Sequence, residues 1–137
     1  MKTLSDAGIK VGIGIAPIIL GYNDSDIPVL LEKARAAGAS KAFINLIHFD
    51  SDSIEEYFVR RLHEKLPTQA AKIINQQKRE RGGELRHKTF ADRAGKTEKW
   101  QTAVKLFDLH FKRLGFERFG RAEKPEEKPS PIQQKLF

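Results

Sequence analysis

The sequence predicts an α/β fold built on a parallel sheet, on three observations. Residues 9–19 are apolar at nearly every position. A second apolar stretch, residues 41–47, follows about thirty residues later, the span of a β-loop-α-β unit. A segment with helix-start signals and one apolar face lies between them.

Residues 1–7 read as the last turns of a helix, with Gly8 placed to accept a left-handed conformation after it. The first strand runs Ile9-Lys10-Val11-Gly12-Ile13-Gly14-Ile15-Ala16-Pro17-Ile18-Ile19. Continuous rather than alternating hydrophobicity predicts a strand buried on both faces. Its glycines predict close approach of another backbone or a ligand.

Gly21-Tyr22-Asn23-Asp24 is a turn. Asp24, Ser25 or Asp26 can cap the next helix, and Pro28 is tolerated in its first turn. Val29, Leu30, Ala34 and Ala37 give that helix an apolar face, and Gly38 ends it. The second strand is Lys41-Ala42-Phe43-Ile44-Asn45-Leu46-Ile47. Ser53-Ile54-Glu55-Glu56 has capping-box form and opens a helix that stops near Leu66-Pro67. A further helix over about residues 68–79 carries Ala70, Ile73, Ile74 and Gln77 on one stripe, and Gly82-Gly83 breaks it. Residues 84–97 are a loop with a basic bias. Residues 98–114 are the clearest amphipathic helix, with Trp100, Ala103, Val104, Phe107, Phe111 and Leu114 at three- and four-residue spacing.

Of the 137 residues 39% are hydrophobic and 31% charged, enough for one domain with a core. No apolar run is long enough for a membrane helix, and the start has no signal-peptide h-region, so a cytoplasmic location is the expectation. There is no cysteine, which excludes a disulfide framework and a thiolate metal site on this chain. His63, His87 and His110 show no ligand spacing, so no metal site is expected from them. The net charge of +7 is uneven. Residues 1–59 hold 5 basic and 8 acidic groups, net −3, and residues 60–121 hold 17 and 7, net +10. Such an excess suits a polyanion, and it also suits a solvated helical surface.

Only two strong strands are present. A parallel strand apolar on both faces needs strands at its edges and helices on its faces. We therefore expect further βα units before Met1 or from another chain. The alternative is a small standalone α+β domain with an unrecognised third strand.

Residues 4–24, Leu4-Ser5-Asp6-Ala7-Gly8 through Ala16-Pro17-Ile18-Ile19-Leu20-Gly21-Tyr22-Asn23-Asp24, resemble the fifth strand and following loop of radical S-adenosylmethionine proteins. The pattern continues as in their spore-photoproduct-lyase-like (DNA repair photolyase-like) group. It includes Ile27-Pro28, Ala36-Ala37-Gly38-Ala39, a sixth strand ending at Leu46-Ile47-His48, and Arg79-Glu80-Arg81-Gly82-Gly83-Glu84-Leu85. The similarity spans about residues 4–116. It implies the C-terminal βα units of a partial (β/α)6 TIM-like barrel plus C-terminal helices, a fragment of a larger domain, with the site at the carboxyl ends of the strands.

The family cleaves S-adenosylmethionine with a [4Fe-4S] cluster held by three cysteines. This chain has none, so it alone cannot hold that cluster and is expected to be inactive without the missing N-terminal barrel half. The resemblance assigns the adenosyl-lining positions to Gly12, Gly14, Ile15, Ala16 and Pro17, with plain strand packing as the competing reading. Asn45 is polar within an apolar strand and is expected to face substrate. His48 is expected to do the same, at a position where the group usually has arginine. Arg79, Arg81, Arg86, Lys88, Arg93 and Lys96 are candidates for contact with the DNA phosphate backbone. Asn23 and Asp24 are turn residues first, and Trp100 is core.

Residues 1–118 are thus expected to form the folded part and residues 119–137 a charged, disordered tail. The tail ends Gln133-Gln134-Lys135-Leu136-Phe137, similar to the bacterial sliding-clamp-binding pentapeptide, with Gln134 in place of its leucine. Gln133, Leu136 and Phe137 would make that contact, and an idle tail is the alternative. Three functions compete: part of a radical S-adenosylmethionine lyase-like repair enzyme, a basic nucleic-acid adaptor tethered to the sliding clamp, and an inactive remnant.

Overall fold

A computed structural model describes residues 1–120. Helix α1 is a short Lys2–Asp6, and Gly8 follows it at φ 81°. Strand β1 (Val11–Ile18), helix α2 (Ile27–Ala36) and strand β2 (Ala39–Leu46) form the expected β-α-β unit. The two strands pair in parallel, with Gly12 beside Lys41, Gly14 beside Phe43 and Ile15 beside Ile44. The ladder is irregular between Ile15 and Ile18, so Pro17 gives up no regular ladder bond by lacking an N–H. Helices α3 (Asp52–Lys65), α4 (Ala70–Glu80) and α5 (Glu98–Arg113) complete the order. The fold is mixed α/β, and a barrel is not visible in these residues.

One core lies between the sheet and the α2–α5 pair. Ile15, Ile18, Leu31, Ala42 and Leu46 meet Trp100, Ala103, Phe107 and Phe111 there. The apolar stripe of α5 is therefore a packing stripe, Trp100 included. A second core joins Ile47, Phe49, Leu62, Ala70, Ile73, Ile74 and Leu85 beneath α3 and α4. Gln77 is fully buried between the two regions, where its Nε2 donates to the Leu20 carbonyl at 3.2 Å.

The buried face of α2 is Ile27, Leu31 and Ala34, and not the predicted Val29 and Leu30, which are exposed. Four further expectations need correction. First, β1 is not buried on both faces: Gly12, Gly14 and Ala16 are exposed, while Ile15 and Ile18 are buried. The uniform apolar run conceals an alternation of large and small residues. The face of glycines and alanine has little side chain to remove from water, so leaving it partly exposed costs little. Second, the cap of α3 is Ser51, whose Oγ accepts from Ile54 N at 3.4 Å, and not Ser53. Third, no side-chain cap hydrogen bond forms at α2, although Pro28 does sit in its first turn. Asp24 instead accepts from Gly21 N at 2.7 Å, and Asn23 bridges Ile19 N and the Pro17 carbonyl, so both close the turn. Fourth, residues 90–93 are not plain loop but a 3-10 turn opened by a capping box between Thr89 and Asp92.

After α5 the chain returns to the sheet. Glu117 bridges to Lys41, its N–H donating to the Ser40 carbonyl at 2.8 Å, which covers the outer edge of β2. The outer edge of β1 pairs with no strand among the described residues.

Candidate site at the carboxyl ends of the strands

Parallel strands deliver their last residues to one end of the sheet, where the loops that follow can converge. At this end a cavity of about 370 Å³ is lined by Asn45, Leu46, His48, Phe90, Arg93 and Trp100, among others. An adjoining one of about 270 Å³ is lined by Ala16, Pro17, Asn45, Leu46, Ile47 and His48. Four sequence-predicted residues, Ala16, Pro17, Asn45 and His48, are thus brought together.

Behind His48 stands a set of charged side chains. Asp50, just past β2, lies 3.7 Å from His48 Nε2, 3.8 Å from His87 Nε2 and 3.1 Å from an Arg93 Nη2. The imidazoles of His48 and His87 meet edge to face at 5.7 Å. Arg93 also covers the Phe90 ring, 4.8 Å from its centroid, and the ring is otherwise 79% exposed. Burial lowers the His87 pKa, Arg93 lowers it further, and Asp50 pulls the other way.

The 81–97 segment is fixed to the end of α4 and to the strand end. The buried Glu80 carboxylate accepts from Gln76 Nε2 at 2.9 Å, from Thr97 N at 3.1 Å, and from the Thr97 hydroxyl. Arg81, 7% exposed, donates from Nη2 to the Ile47 carbonyl at 2.7 Å and to the Arg93 carbonyl at 2.9 Å. Its Nε and Nη1 are buried without a partner, as is His87 Nδ1. Desolvation lowers the Arg81 pKa, with Glu80 and Asp92 opposing. The Asp92 carboxyl is held below the usual carboxylate range, first by the Thr89 hydroxyl and also by Lys96, against some desolvation.

The other predicted residues fare unevenly. Ile15 is turned to the core, because successive side chains of a strand face opposite sides, so it does not share the glycine face. Over Gly12 lies the ring of Phe119, and over Gly14 that of Phe43, at a separation that leaves no room for a Cβ. The two rings touch edge to face at 5.4 Å. The predicted close approach at the glycines is therefore an aromatic side chain of this chain itself. Phe119, the first residue assigned to the tail, is part of that contact.

Among the basic candidates Arg81 is buried and structural, which corrects its assignment to a nucleic-acid surface. Arg86 pairs with Asp52, Arg93 with Asp50 and Lys96 with Asp92. Arg79 and Lys88 are exposed and take part in no ion pair among the described residues. Gln133, Leu136 and Phe137 lie outside the described residues.

Sequence reasoning missed Asp50, Glu80 and Thr97, and it misplaced Arg81. Asp50 was within reach of the strand-end rule, being four residues past β2. The others leave no local trace.

No group of three His, Asp or Glu side chains able to hold a metal ion occurs among the described residues. With no cysteine in the chain, its residues do not fit a [4Fe-4S] cluster. No helix of the described residues is long and apolar enough to cross a membrane. No family model, curated protein or solved structure matches the chain.

Proposed function

We propose that this chain is a ligand-binding portion of a parallel α/β enzyme, contributing two strands and the wall of a site at their carboxyl ends. Within that class we favour the radical S-adenosylmethionine, spore-photoproduct-lyase-like group, with the cluster cysteines on an N-terminal barrel half. The observation that carries the reading is the β1–α2–β2 unit. It gathers Ala16, Pro17, Asn45 and His48 around adjoining cavities and leaves the other edge of β1 unpaired among the described residues. A strand from an N-terminal half would complete that edge. The exposure of Gly12, Gly14 and Ala16 removes two-face burial as support for the barrel, and the edge and the site remain. In this reading Phe119 would have to leave Gly12 before an adenosyl group could lie on it.

The test begins with the DNA immediately upstream of the Met1 codon. An in-frame or neighbouring coding segment with a Cys-x3-Cys-x2-Cys loop is expected. Its product, co-expressed, should co-purify with this chain and carry iron-sulfur absorbance. Absence of any such segment, or failure of the two to associate, would overturn the proposal.

The alternative, a basic nucleic-acid adaptor tethered to the sliding clamp, draws support from the exposed Arg79 and Lys88. Clamp recovery with and without residues 133–137 tests it, and equal recovery would remove the tether.

A further inference from the structure

We propose that residues 132–137, Ile132-Gln133-Gln134-Lys135-Leu136-Phe137, dock back onto their own fold, in an apolar groove along the outer edge of β2. The groove holds about 450 Å³ and is walled by Phe43 and Ile44 of β2, by Trp100, Val104 and Phe107 of α5, and by Phe119. Phe43 and Phe119, in contact with each other, are 41% and 48% exposed. Apolar surface gathered in one concavity marks a place of binding.

The backbone is open there too. Glu117 bridges to Lys41, and the Ala42 N–H donates to the Glu117 carbonyl at 3.4 Å. Beyond Ala42 no strand among the described residues pairs with the outer edge of β2. An extended segment added at that edge would gain backbone hydrogen bonds, and its successive side chains would point to opposite faces. On one face it would meet Trp100 and Val104 of α5, and on the other the Phe43 and Phe119 rings that lie over the glycines. Two adjacent large apolar residues, one for each face, fit such a slot.

The course of the chain says which segment supplies them. Gly120 directly follows Phe119, a wall of the groove. The next residues, Arg121-Ala122-Glu123-Lys124-Pro125, are mostly charged and match it poorly. Leu136-Phe137 matches it, and Lys135 beside that pair would meet Asp108 at the groove rim. At up to about 3.3 Å per residue, the stretch from Gly120 to Leu136 is long enough to turn back. A tether of this kind holds its end at an effective concentration of about a millimolar, so a weak contact suffices. Seated there, Leu136 and Phe137 are withheld from any other partner, the sliding clamp of the alternative reading included. The proposal rests on neither reading, since an N-terminal half would join at the other strand, β1.

Trp100 is the only tryptophan and lines the groove, so its fluorescence reports the cover. The full chain is compared with its Leu136→Ala/Phe137→Ala double variant. Acrylamide should quench Trp100 more strongly in the variant, and its emission should move to the red, with circular dichroism unchanged. A synthetic peptide of residues 128–137, added to the variant, should reverse both changes saturably, half-way at or below about a millimolar. The same peptide with Leu136→Ala should need at least about tenfold more, having lost apolar surface to bury. Equal quenching in the two chains, or a peptide effect that fails to saturate or ignores Leu136→Ala, would overturn the proposal. So would protection of the full chain that is lost on dilution, because a second copy would then be supplying the segment.

Discussion

The region formed by β1, α2, β2 and α5 and the region formed by α3, α4 and residues 81–97 exclude water by different means. In the first, isoleucine, leucine, alanine and aromatic side chains interlock, and no charged residue enters the core. In the second, a smaller apolar cluster is joined to Glu80 and Arg81, both buried. Apolar packing depends on volume and tolerates rearrangement, while a buried polar seam depends on each bond being made. The first region is therefore the scaffold. The second is the part that losing one polar contact or changing the pH can loosen locally, with the scaffold left in place.

That contrast can be broken at several points. The largest loss is expected in the scaffold. Phe107, 4% exposed, contacts Phe111 and faces the sheet core, and Phe107→Ala should cost about 3–5 kcal/mol in urea unfolding. Glu80→Ala comes next, at about 2–3 kcal/mol, since it strands the Thr97 N–H and removes the nearest acid from Arg81. Amide exchange should show its effect concentrated at residues 94–97, with the strands protected. A loss spread evenly over both regions would refute the division.

A smaller effect is expected from pH. The His87 pKa is lower in the fold than in the unfolded chain, so between the two values the unfolded chain binds the extra proton. Stability then rises with pH through that window and falls as pH drops below the unfolded value of about 6.5. The melting temperature should be lower at about pH 5.5 than at about pH 7.5, and His87→Gln should flatten the difference. Asp92 does not confuse this window. Its folded pKa is depressed, so its contribution is lost only below its unfolded value of about 4. The smallest change is Gly14→Ala, where the obstructing atoms are the tip of the half-exposed Phe43 ring, which can swing away. A loss under about 0.5 kcal/mol is expected in the same urea assay.

The scaffold was legible because its signals are local. Periodicity marked α5 to within a residue at its end, and Gly8, Gly38 and Gly115 all take positive φ where a helix stops. Where two local patterns competed, the choice failed. Ser53 has a glutamate three residues on, yet Ser51 caps α3, with the two hydroxyls 3.1 Å apart. In the site, Asn45 and His48 stood out as polar residues at a strand end. Arg81 did not, because its bond to Ile47 crosses 34 positions and that of Arg93 to Asp50 crosses 43. Nothing in Arg79-Glu80-Arg81 says which side chain turns inward. Hydrophobicity alone also could not show that the small residues share one face of β1, with aromatic rings lying over Gly12 and Gly14.

The rim of β1, which pairs with no strand among the described residues, has a practical consequence. Val11–Ile18 contains no charged residue, so nothing along it repels a second extended peptide. Proteins usually guard such rims with lysine or with a covering element. Pro17 blunts only its last turn of chain, since a proline offers no N–H to a newcomer. Crowded or heated samples should therefore clump through this stretch before the helices melt, and a dilute, cool preparation is the remedy to try first.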